Sequence, residues 1–342
     1  MNKVQELDIA EFVRTFPLSP CFERTSILIT GATGLIGSTL VRCLLAIDKG
    51  VNITIPVRNR EKAVAIYGVD SFRLTIVECN LIEYCNTIND SFDYIIHCAS
   101  PTSSKYLSEH PVETYELSIE TTRAMLQYAC RYPVKGLVYV SSLEYYGQNN
   151  NDQLITEDFL GYIDAKSPRS SYPLAKRAAE YFCVAYAHEF GIPAKVARLT
   201  QTFGAGVSED DNRVYAQFAR SVIAGRNIIL HTLGDSSKPY CYSTDCASAI
   251  LTILLRGGNG EAYNVANQDT YISIRALAEF LRDCFNPTIE VIVEEHPEMG
   301  YAPVTKLFLS SEKLAGLGWK PQYDLKEMFR RLIEGMKSDN SQ

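Results

Sequence analysis

Short apolar runs alternate with amphipathic helical patterns along the first two hundred residues. Apolar runs of strand length lie at 25–30, 51–57, 73–78, 93–98, 135–141 and 193–199. Between them, helical apolar spacing occurs at 35–48, 60–66, 112–131 and 173–190. This alternation predicts parallel strands joined by right-handed crossovers, with helices on both faces of one sheet. We therefore expect a doubly wound α/β fold whose ligands bind at the carboxyl ends of the strands.

The pattern differs on either side of this region. Within residues 1–23, apolar positions at helical spacing predict a short amphipathic helix that ends by Pro17 and packs on the body or on another subunit. After residue 200 the strict alternation stops. Helical patterns then lie at 214–224, 245–255 and 275–284, with short strands at 228–230 and 291–293. These features predict a smaller C-terminal α/β lobe.

Composition narrows the class of protein. The 342 residues are 46% hydrophobic, which is enough for a large core, and carry a formal net charge of −7. We expect neither nucleic acid nor membrane partners, because basic clusters and long apolar spans are missing from the sequence. The ten cysteines form no Cys-x-x-Cys pair, so we expect a reduced, cytoplasmic protein without disulfides or a metal site.

A glycine-rich segment follows the first predicted strand. It reads Gly31-Ala32-Thr33-Gly34-Leu35-Ile36-Gly37 and opens a helical pattern. Glycines at this position let a backbone turn approach a phosphate, while the helix N-terminus offers free N–H groups. The segment predicts a Rossmann-like dinucleotide site, although a glycine-rich turn without a ligand gives the same pattern. The expected cofactor contacts are Gly31, Thr33, Gly34, Leu35, Ile36 and Gly37.

Residues at the other strand ends complete the expected cofactor site. Arg58 follows the second strand, where an arginine suits the 2′-phosphate of NADP, but a solvated loop arginine is an equal alternative. Further expected contacts are Asn80 (to adenine), Leu81, Ala99, Ser100 and Leu199. His97 lies in an apolar strand and is expected to be a hydrogen-bonded core residue.

Three residue types in order indicate redox chemistry at a hydroxyl group. Ser142 ends the fifth strand, and Tyr172 and Lys176 lie four residues apart, which places them on one helix face. A nearby ammonium group and a nicotinamide cation lower the pKa of a phenol. Tyr172 is then expected to remove a hydroxyl proton while Ser142 orients that hydroxyl and Lys176 also holds the nicotinamide ribose.

With these motifs, the chain resembles the extended short-chain dehydrogenase/reductase family, in its nucleotide-sugar epimerase, dehydratase and decarboxylase group. The resemblance covers roughly residues 24–335. It implies a bound nicotinamide that oxidises a sugar at C4 and later returns the hydride. The stretches around 99–114 and 212–218 are similar to UDP-glucuronate decarboxylases. The resemblance also implies that Glu144 is a second base, acting at C5, with a solvated turn residue as the alternative.

The chain departs from the family pattern at several positions. Leu143 stands where dehydratases carry an aspartate, so dehydration is less favoured. Lys238 stands in place of a diphosphate-binding arginine and lacks its bidentate fork. Gln201 replaces an asparagine, and Arg58 replaces an acidic residue, so the family favours NAD while Arg58 favours NADP. The expected substrate contacts are Thr102, Ser142, Gln201, Arg213 and Lys238, with Lys306 as a further phosphate contact.

We therefore expect an NAD(P)-binding Rossmann domain at 24–200, to which about 240–256 returns, and a mainly nucleotide-sugar-binding lobe at 201–342. The expected protein is an enzyme that epimerises or decarboxylates a nucleotide-diphosphate sugar. As in the family, the helices at 112–131 and 173–190 are expected to form a homodimer interface. An NADPH-dependent carbonyl reductase and a non-catalytic dinucleotide-sensing regulator are the alternatives.

Overall fold

The structure is a computed structural model that describes residues 1–69, 71–101, 104–296 and 303–339. Its α-helices are α1 Lys3–Thr15, α2 Leu35–Ala46, α3 Arg60–Tyr67, α4 Leu81–Thr87, α5 Ser104–Glu109, α6 Pro111–Arg131, α7 Ser171–Phe190, α8 Val214–Ala224, α9 Ser243–Arg256, α10 Ile274–Phe285, α11 Glu312–Ala315 and α12 Leu325–Asp339. Short 3₁₀ helices are η1 Ser19–Phe22, η2 Leu143–Tyr146 and η3 Pro168–Ser170. The strands are β1 Ser26–Thr30, β2 Asn52–Val57, β3 Leu74–Glu78, β4 Tyr94–His97, β5 Gly136–Ser142, β6 Leu154–Ile155, β7 Ala194–Leu199, β8 Gln201–Phe203, β9 Ile228–Leu230, β10 Ser237–Tyr242, β11 Ala262–Val265, β12 Asn267–Ser273, β13 Val291–Val293 and β14 Phe308–Leu309.

A seven-stranded parallel sheet forms the centre of the molecule, in the order β3-β2-β1-β4-β5-β7-β11. Its inner strands are apolar on both faces, as a sheet covered by helices on both sides requires. In register, Leu28 lies beside Ile95, and Ile95 lies beside Leu137. The Rossmann-like α/β prediction is confirmed.

Two helical layers cover the sheet. On one face, α1, α2, α3 and α9 form a core with the strands, to which Phe12, Leu40 and Ile250 contribute. On the other face, α4, α6 and α7 form a second core that includes Met125 and Cys183. The N-terminal helix therefore packs on the body of the chain.

The C-terminal lobe has a separate core between α8, α10, α12 and small sheets. These sheets have the orders β12-β10-β8, β13-β9 and β14-β6. Strand β11 and helix α9, although late in the sequence, join the central sheet and its helical layer.

The sequence prediction missed α4, α5, α11, α12, β6, β8, β10, β11, β12 and β14. Most are short, and their conformation depends on the pairing partner more than on local pattern. Helix α12 is the largest omission, although Met328, Phe329 and Leu332 bury a clear helical face. Helix α7 also begins two residues earlier than expected, at Ser171. Among the helices described, none combines the length and apolar character that a membrane span requires.

The turn between β1 and α2 depends on two glycines. Gly31 has a φ of +67°, and a Cβ atom there would lie 2.8 Å from the backbone nitrogen of Ala99. A Cβ atom on Gly37 would lie 2.4 Å from the carbonyl oxygen of Gly31. The absence of a side chain at Gly37 thus lets the start of α2 pack directly against the turn.

We predict that Gly31→Ala lowers the free energy of unfolding by more than Gly191→Ala does. Both glycines have a φ of +67°, but a Cβ atom on Gly191 meets nothing within 4 Å. The left-handed conformation alone costs about 1 kcal/mol. The steric conflict at Gly31 adds about 1–3 kcal/mol. Urea denaturation measures both, and equal losses in the two variants would contradict the steric account.

Candidate active site

The carboxyl ends of the central strands bring the expected site residues to one edge of the sheet. Thr30 ends β1 and lies beside His97 at the end of β4. Ser142 ends β5 and lies beside Leu199 at the end of β7. The strand order therefore assembles residues that are far apart in the sequence.

The N-terminus of α2 fits a pyrophosphate group. Gly34 is its N-cap, is exposed, and provides no side-chain cap for the first N–H groups of the helix. A Cβ atom on Gly34 would make only an ordinary 3.5 Å contact with the Gly31 carbonyl oxygen. Packing therefore does not require glycine here, and the absence of a side chain leaves the helix N-terminus open to the close approach of an anion. The neighbouring Thr33, Leu35 and Ile36 are partly exposed at this position.

His97 supports the backbone behind this turn. Its Nδ1 lies 2.7 Å from the Thr30 hydroxyl, which accepts a hydrogen bond of 3.1 Å from the Ala99 N–H. Burial lowers the pKa of His97 to about 3, so its ring is neutral. The expected core role of His97 is confirmed. Ala99 and Ser100 are half-buried at this edge, and Thr102 lies outside the described residues.

Two expected adenosine contacts have different surroundings. Arg58 is exposed and within electrostatic reach of the Tyr106 phenol. The Asn80 side-chain oxygen accepts bonds from the N–H groups of Ile82 and Glu83 and caps α4. This oxygen is therefore committed to the fold, and adenine contact would fall to the amide NH₂ of Asn80. Leu81 starts α4 and packs against the core.

Helix α7 brings Tyr172 and Lys176 to Ser142. The Ser142 hydroxyl lies close enough to the Tyr172 phenol to lower its pKa, and both Tyr172 and Lys176 are buried. The Lys176 Nζ donates to the Val140 carbonyl oxygen at 3.0 Å and lies 5.4 Å from the Tyr172 ring centroid. Burial lowers the pKa of Lys176 to about 8.

The expectation that the pKa of Tyr172 is lowered is wrong for the protein's own groups. Burial raises the pKa of the phenol, and the negative charge of Glu144 raises it further. The Ser142 hydroxyl acts in the opposite direction but has the smaller effect. Lys176 directs its ammonium group to a backbone carbonyl. Tyr172 is therefore a protonated acid at neutral pH in this environment.

Leu143 and Glu144 point in opposite directions from η2. Leu143 is buried in a small core with Tyr146 and Leu307. The Glu144 side chain is exposed in the cleft, close enough to Tyr172 to affect its pKa. Desolvation by the surrounding protein raises the pKa of Glu144. The positive charges of Lys238, Arg169 and Lys176 oppose this shift. The site thus has one accessible carboxylate amid several cations, and Arg169 is a member that sequence reasoning missed.

The expected substrate contacts divide into two groups. Lys238 lies half-buried on β10, and Glu144 favours its charged form. Arg213 is exposed just before α8, is paired with Asp211, and interacts electrostatically with Tyr172. The structure therefore brings Lys238 and Arg213 towards the catalytic groups.

Gln201 and Lys306 are placed differently. Gln201 is half-buried at the start of β8, beside Tyr240 in register. Lys306 forms a 2.5 Å ion pair with Asp152. A phosphate contact by Lys306 would have to compete with this carboxylate.

A buried ion pair lies behind the catalytic residues. Glu180, one helical turn after Lys176, bonds Arg198 at 2.9 Å, and both side chains are 5% exposed. Glu180 also accepts a hydrogen bond from the Ser141 hydroxyl. The Arg198 guanidinium lies 3.5 Å from the Tyr145 ring centroid and donates to the Tyr146 hydroxyl at 3.0 Å. The pair therefore connects α7, β7, the end of β5 and η2.

The sequence analysis missed this pair. The spacing of Lys176 and Glu180 shows only that they share a face of α7. An arginine in the apolar strand β7 is the available signal, because a buried charge requires a partner.

A family model described as the NAD dependent epimerase/dehydratase family matches residues 27–266. UDP-glucuronic acid decarboxylase 3 of Arabidopsis thaliana is 28% identical over 317 residues, covering 90% of this chain and 87% of the relative. The dTDP-D-glucose 4,6-dehydratase of Bos taurus is 26% identical over 255 residues, covering 72% of this chain and 68% of the relative.

Solved structures show the same fold. The UDP-glucose 4-epimerase of Thermotoga maritima, solved with UDP-glucose, has a TM-score of 0.80 and 22% identity, with 92% of this chain and 99% of that chain covered. DesIV of Streptomyces venezuelae, a dTDP-glucose 4,6-dehydratase solved with NAD, has a TM-score of 0.77 and 20% identity, with 92% and 98% covered.

We predict that Glu180→Gln lowers the free energy of unfolding by about 3 kcal/mol or more, because it leaves the Arg198 charge buried without its counter-ion. The matched control is Glu189→Gln, an exposed position on the same helix, which should change stability by less than about 0.5 kcal/mol. Urea denaturation of both variants measures the difference. Similar stability of the two would show that the pair contributes nothing to the fold.

Proposed function

The chain belongs to the NAD dependent epimerase/dehydratase family, and from this membership we propose that it is an enzyme that modifies a nucleotide-activated sugar through transient oxidation at C4. The proposal is carried by the grouping of Ser142 and Glu144 around the Tyr172 phenol, with Lys176 behind it and the Glu144 carboxylate accessible. This arrangement supplies an acid/base group, a hydroxyl-orienting group and a second base in one cleft.

The chain's own residues suit a nicotinamide dinucleotide. The free N–H groups of α2 and the bare surface of Gly34 would hold the pyrophosphate, and Lys176 would hold the nicotinamide ribose. When bound, a nicotinamide dinucleotide would supply a hydride acceptor and donor for C4 and a positive charge that favours the Tyr172 phenolate. We infer NAD from the family, while Arg58 keeps NADP as a second candidate.

Tyr172 would exchange the proton of the sugar hydroxyl. Its Oη receives that proton when the hydroxyl carbon is oxidised and gives it back when the carbonyl is reduced. The Ser142 hydroxyl positions the sugar oxygen for this transfer. Because burial and Glu144 raise the pKa of Tyr172, the phenol is well suited to the second, proton-donating half of the cycle.

Decarboxylation and epimerisation are the reaction types that we favour. Oxidation at C4 of a uronic acid creates a β-keto acid, which loses carbon dioxide and leaves an enolate that takes up a proton at C5. The similarity to UDP-glucuronic acid decarboxylases and the cations around Glu144 support decarboxylation. The burial of Leu143 away from the cleft supports ranking dehydration third, since η2 then offers Glu144 alone.

We also propose a homodimer formed through α6 and α7. Their outer faces expose apolar side chains, among them Tyr115, Tyr181 and Val184. Exposed apolar patches of this kind mark interaction surfaces.

Tyr172→Phe should slow conversion of the nucleotide sugar about 10²- to 10⁴-fold, because it removes the group that exchanges the hydroxyl proton. The matched control is Tyr162→Phe, which removes a hydroxyl from an exposed side chain outside α6 and α7. Product formation is followed by mass spectrometry with UDP-, dTDP-, GDP- and CDP-sugars.

The nucleotide released on denaturation provides a second readout. An enzyme that returns its hydride should release a stoichiometric dinucleotide from both variants. A carbonyl reductase would instead consume added NADPH and retain none. Full conversion by Tyr172→Phe would overturn the proposed role of Tyr172, and a regulator would show no conversion by the wild type.

Turnover in heavy water tests Glu144. The wild type should place one solvent deuterium at C5, because Glu144 exchanges a proton with that carbon in the 4-keto sugar. Glu144→Gln should reduce labelled product about 10²-fold or more. Glu290→Gln, at an exposed position outside α6 and α7, is the matched control.

Conversion without any deuterium at C5 would reject this role for Glu144. It would favour rotation of the 4-keto sugar within the cleft, as in C4 epimerisation. Labelling that persists at the wild-type rate in Glu144→Gln would assign the proton transfer to another group.

A further inference from the structure

Helix α1 contacts both parts of the molecule. Phe12 packs in the core between the central sheet and the helices α2 and α9. On its other side, Asp8 and Glu11 form ion pairs with Arg331 on α12 of the C-terminal lobe, at 2.5 and 2.9 Å. Helix α1, which precedes the first strand, is thus held by contacts with both the central sheet and the C-terminal lobe.

The polar residues of α1 also hold one turn beside the cleft. The Asn2 side-chain amide donates to the Ala205 carbonyl oxygen at 2.9 Å. The Ala205 N–H donates to the Tyr242 hydroxyl at 3.2 Å, and that hydroxyl donates to Asp8 at 2.6 Å. Both backbone polar groups of Ala205 are therefore satisfied by α1, directly or through Tyr242.

Steric contacts close the same turn. A Cβ atom on Gly206 would lie 2.3 Å from the Gln5 side-chain nitrogen and 3.6 Å from Leu35, the first residue of α2. On the opposite side, a Cβ atom on Gly335 of α12 would lie 2.9 Å from Ala205. The turn is thus enclosed by α1, α12 and the start of the helix proposed to hold the cofactor.

The segment that follows this turn ends at a residue that acts electrostatically on the catalytic groups. The segment from Gly206 runs to Arg213, the N-cap of α8, whose charge acts on Tyr172. Residues 208–210 between them are exposed. One end of the segment is therefore held by the Ala205–Gly206 turn, and the other is held by Arg220 of α8, which donates to the Asp211 carbonyl oxygen at 2.6 Å.

We infer that α1 is a positioning element of the substrate site: Asn2 and Asp8, the latter through Tyr242, fix the Ala205–Gly206 turn and so the segment that presents Arg213 to the nucleotide sugar. The substrate part of this inference rests on the proposed function. These residues touch no reacting atom, and their effect passes through the turn.

The test uses three single substitutions that break the same chain of contacts: Asp8→Asn, Asn2→Ala and Tyr242→Phe. Each should raise KM for the nucleotide sugar about fivefold, with kcat and dinucleotide retention little changed, because the position of Arg213 is loosened while Tyr172 and Ser142 stay in place. Glu6→Gln, at an exposed position on α1, is the matched control. Using three variants keeps the test valid if one of them fails to fold.

Limited proteolysis provides a readout that needs no substrate. Glu209 is exposed in the segment, so a glutamate-specific protease should cut there faster in the three variants than in the wild type and Glu6→Gln. Faster cutting without any turnover by the wild type would reject the proposed function and retain α1 as the element that fixes the turn. Wild-type cutting rates together with an unchanged KM, even with lowered stability, would overturn the inference.

Discussion

The buried ion pair of Glu180 and Arg198 is the contact on which the catalytic geometry depends. Each charge satisfies several polar groups: Glu180 accepts from Ser141, and Arg198 donates to Tyr146 and covers the Tyr145 ring. An apolar pair of equal volume would often be as stable, because burying charges costs solvation energy. The pair instead fixes geometry, because it holds the strand end before Ser142 and the η2 turn that contains Glu144 in a single arrangement.

Charge alternates outward from this pair towards the cleft. Arg198 and Glu180 are followed by Lys176, then by the phenol of Tyr172, and then by Glu144 with Lys238. Each group therefore shifts the proton affinity of the next. Lys176 has a pKa of about 8, because burial outweighs the nearby carboxylates. The protein thus holds Tyr172 as an acid, and the shift to a base must come from a charge that binds in the cleft.

The sequence predicted the parts of this site that depend on local pattern. Strand ends, the glycine turn and the order of Ser142, Tyr172 and Lys176 follow from periodicity and spacing, and the fold they imply is confirmed. The protein's own groups do not lower the pKa of Tyr172 as expected, because burial, a tertiary property, and the Glu144 charge both raise it. Asn80 is a residue type that can hydrogen-bond adenine, but its side-chain oxygen instead caps helix α4. The partners of Asp8 were not predictable, since Tyr242 and Arg331 are distant in sequence.

The position of α1 has a consequence for synthesis of the chain. Asp8 and Arg331 are separated by 323 residues, so a ribosome adding about 5–20 residues per second needs roughly 15–60 s to deliver the partner of a helix already made. During that interval the strands β1 to β11 can assemble, while Asp8 is not yet paired with Arg331. The Ala205 turn acquires its complete set of contacts only after α12 has emerged. The contacts of α1 with the C-terminal lobe should therefore form later than its contacts with the central sheet.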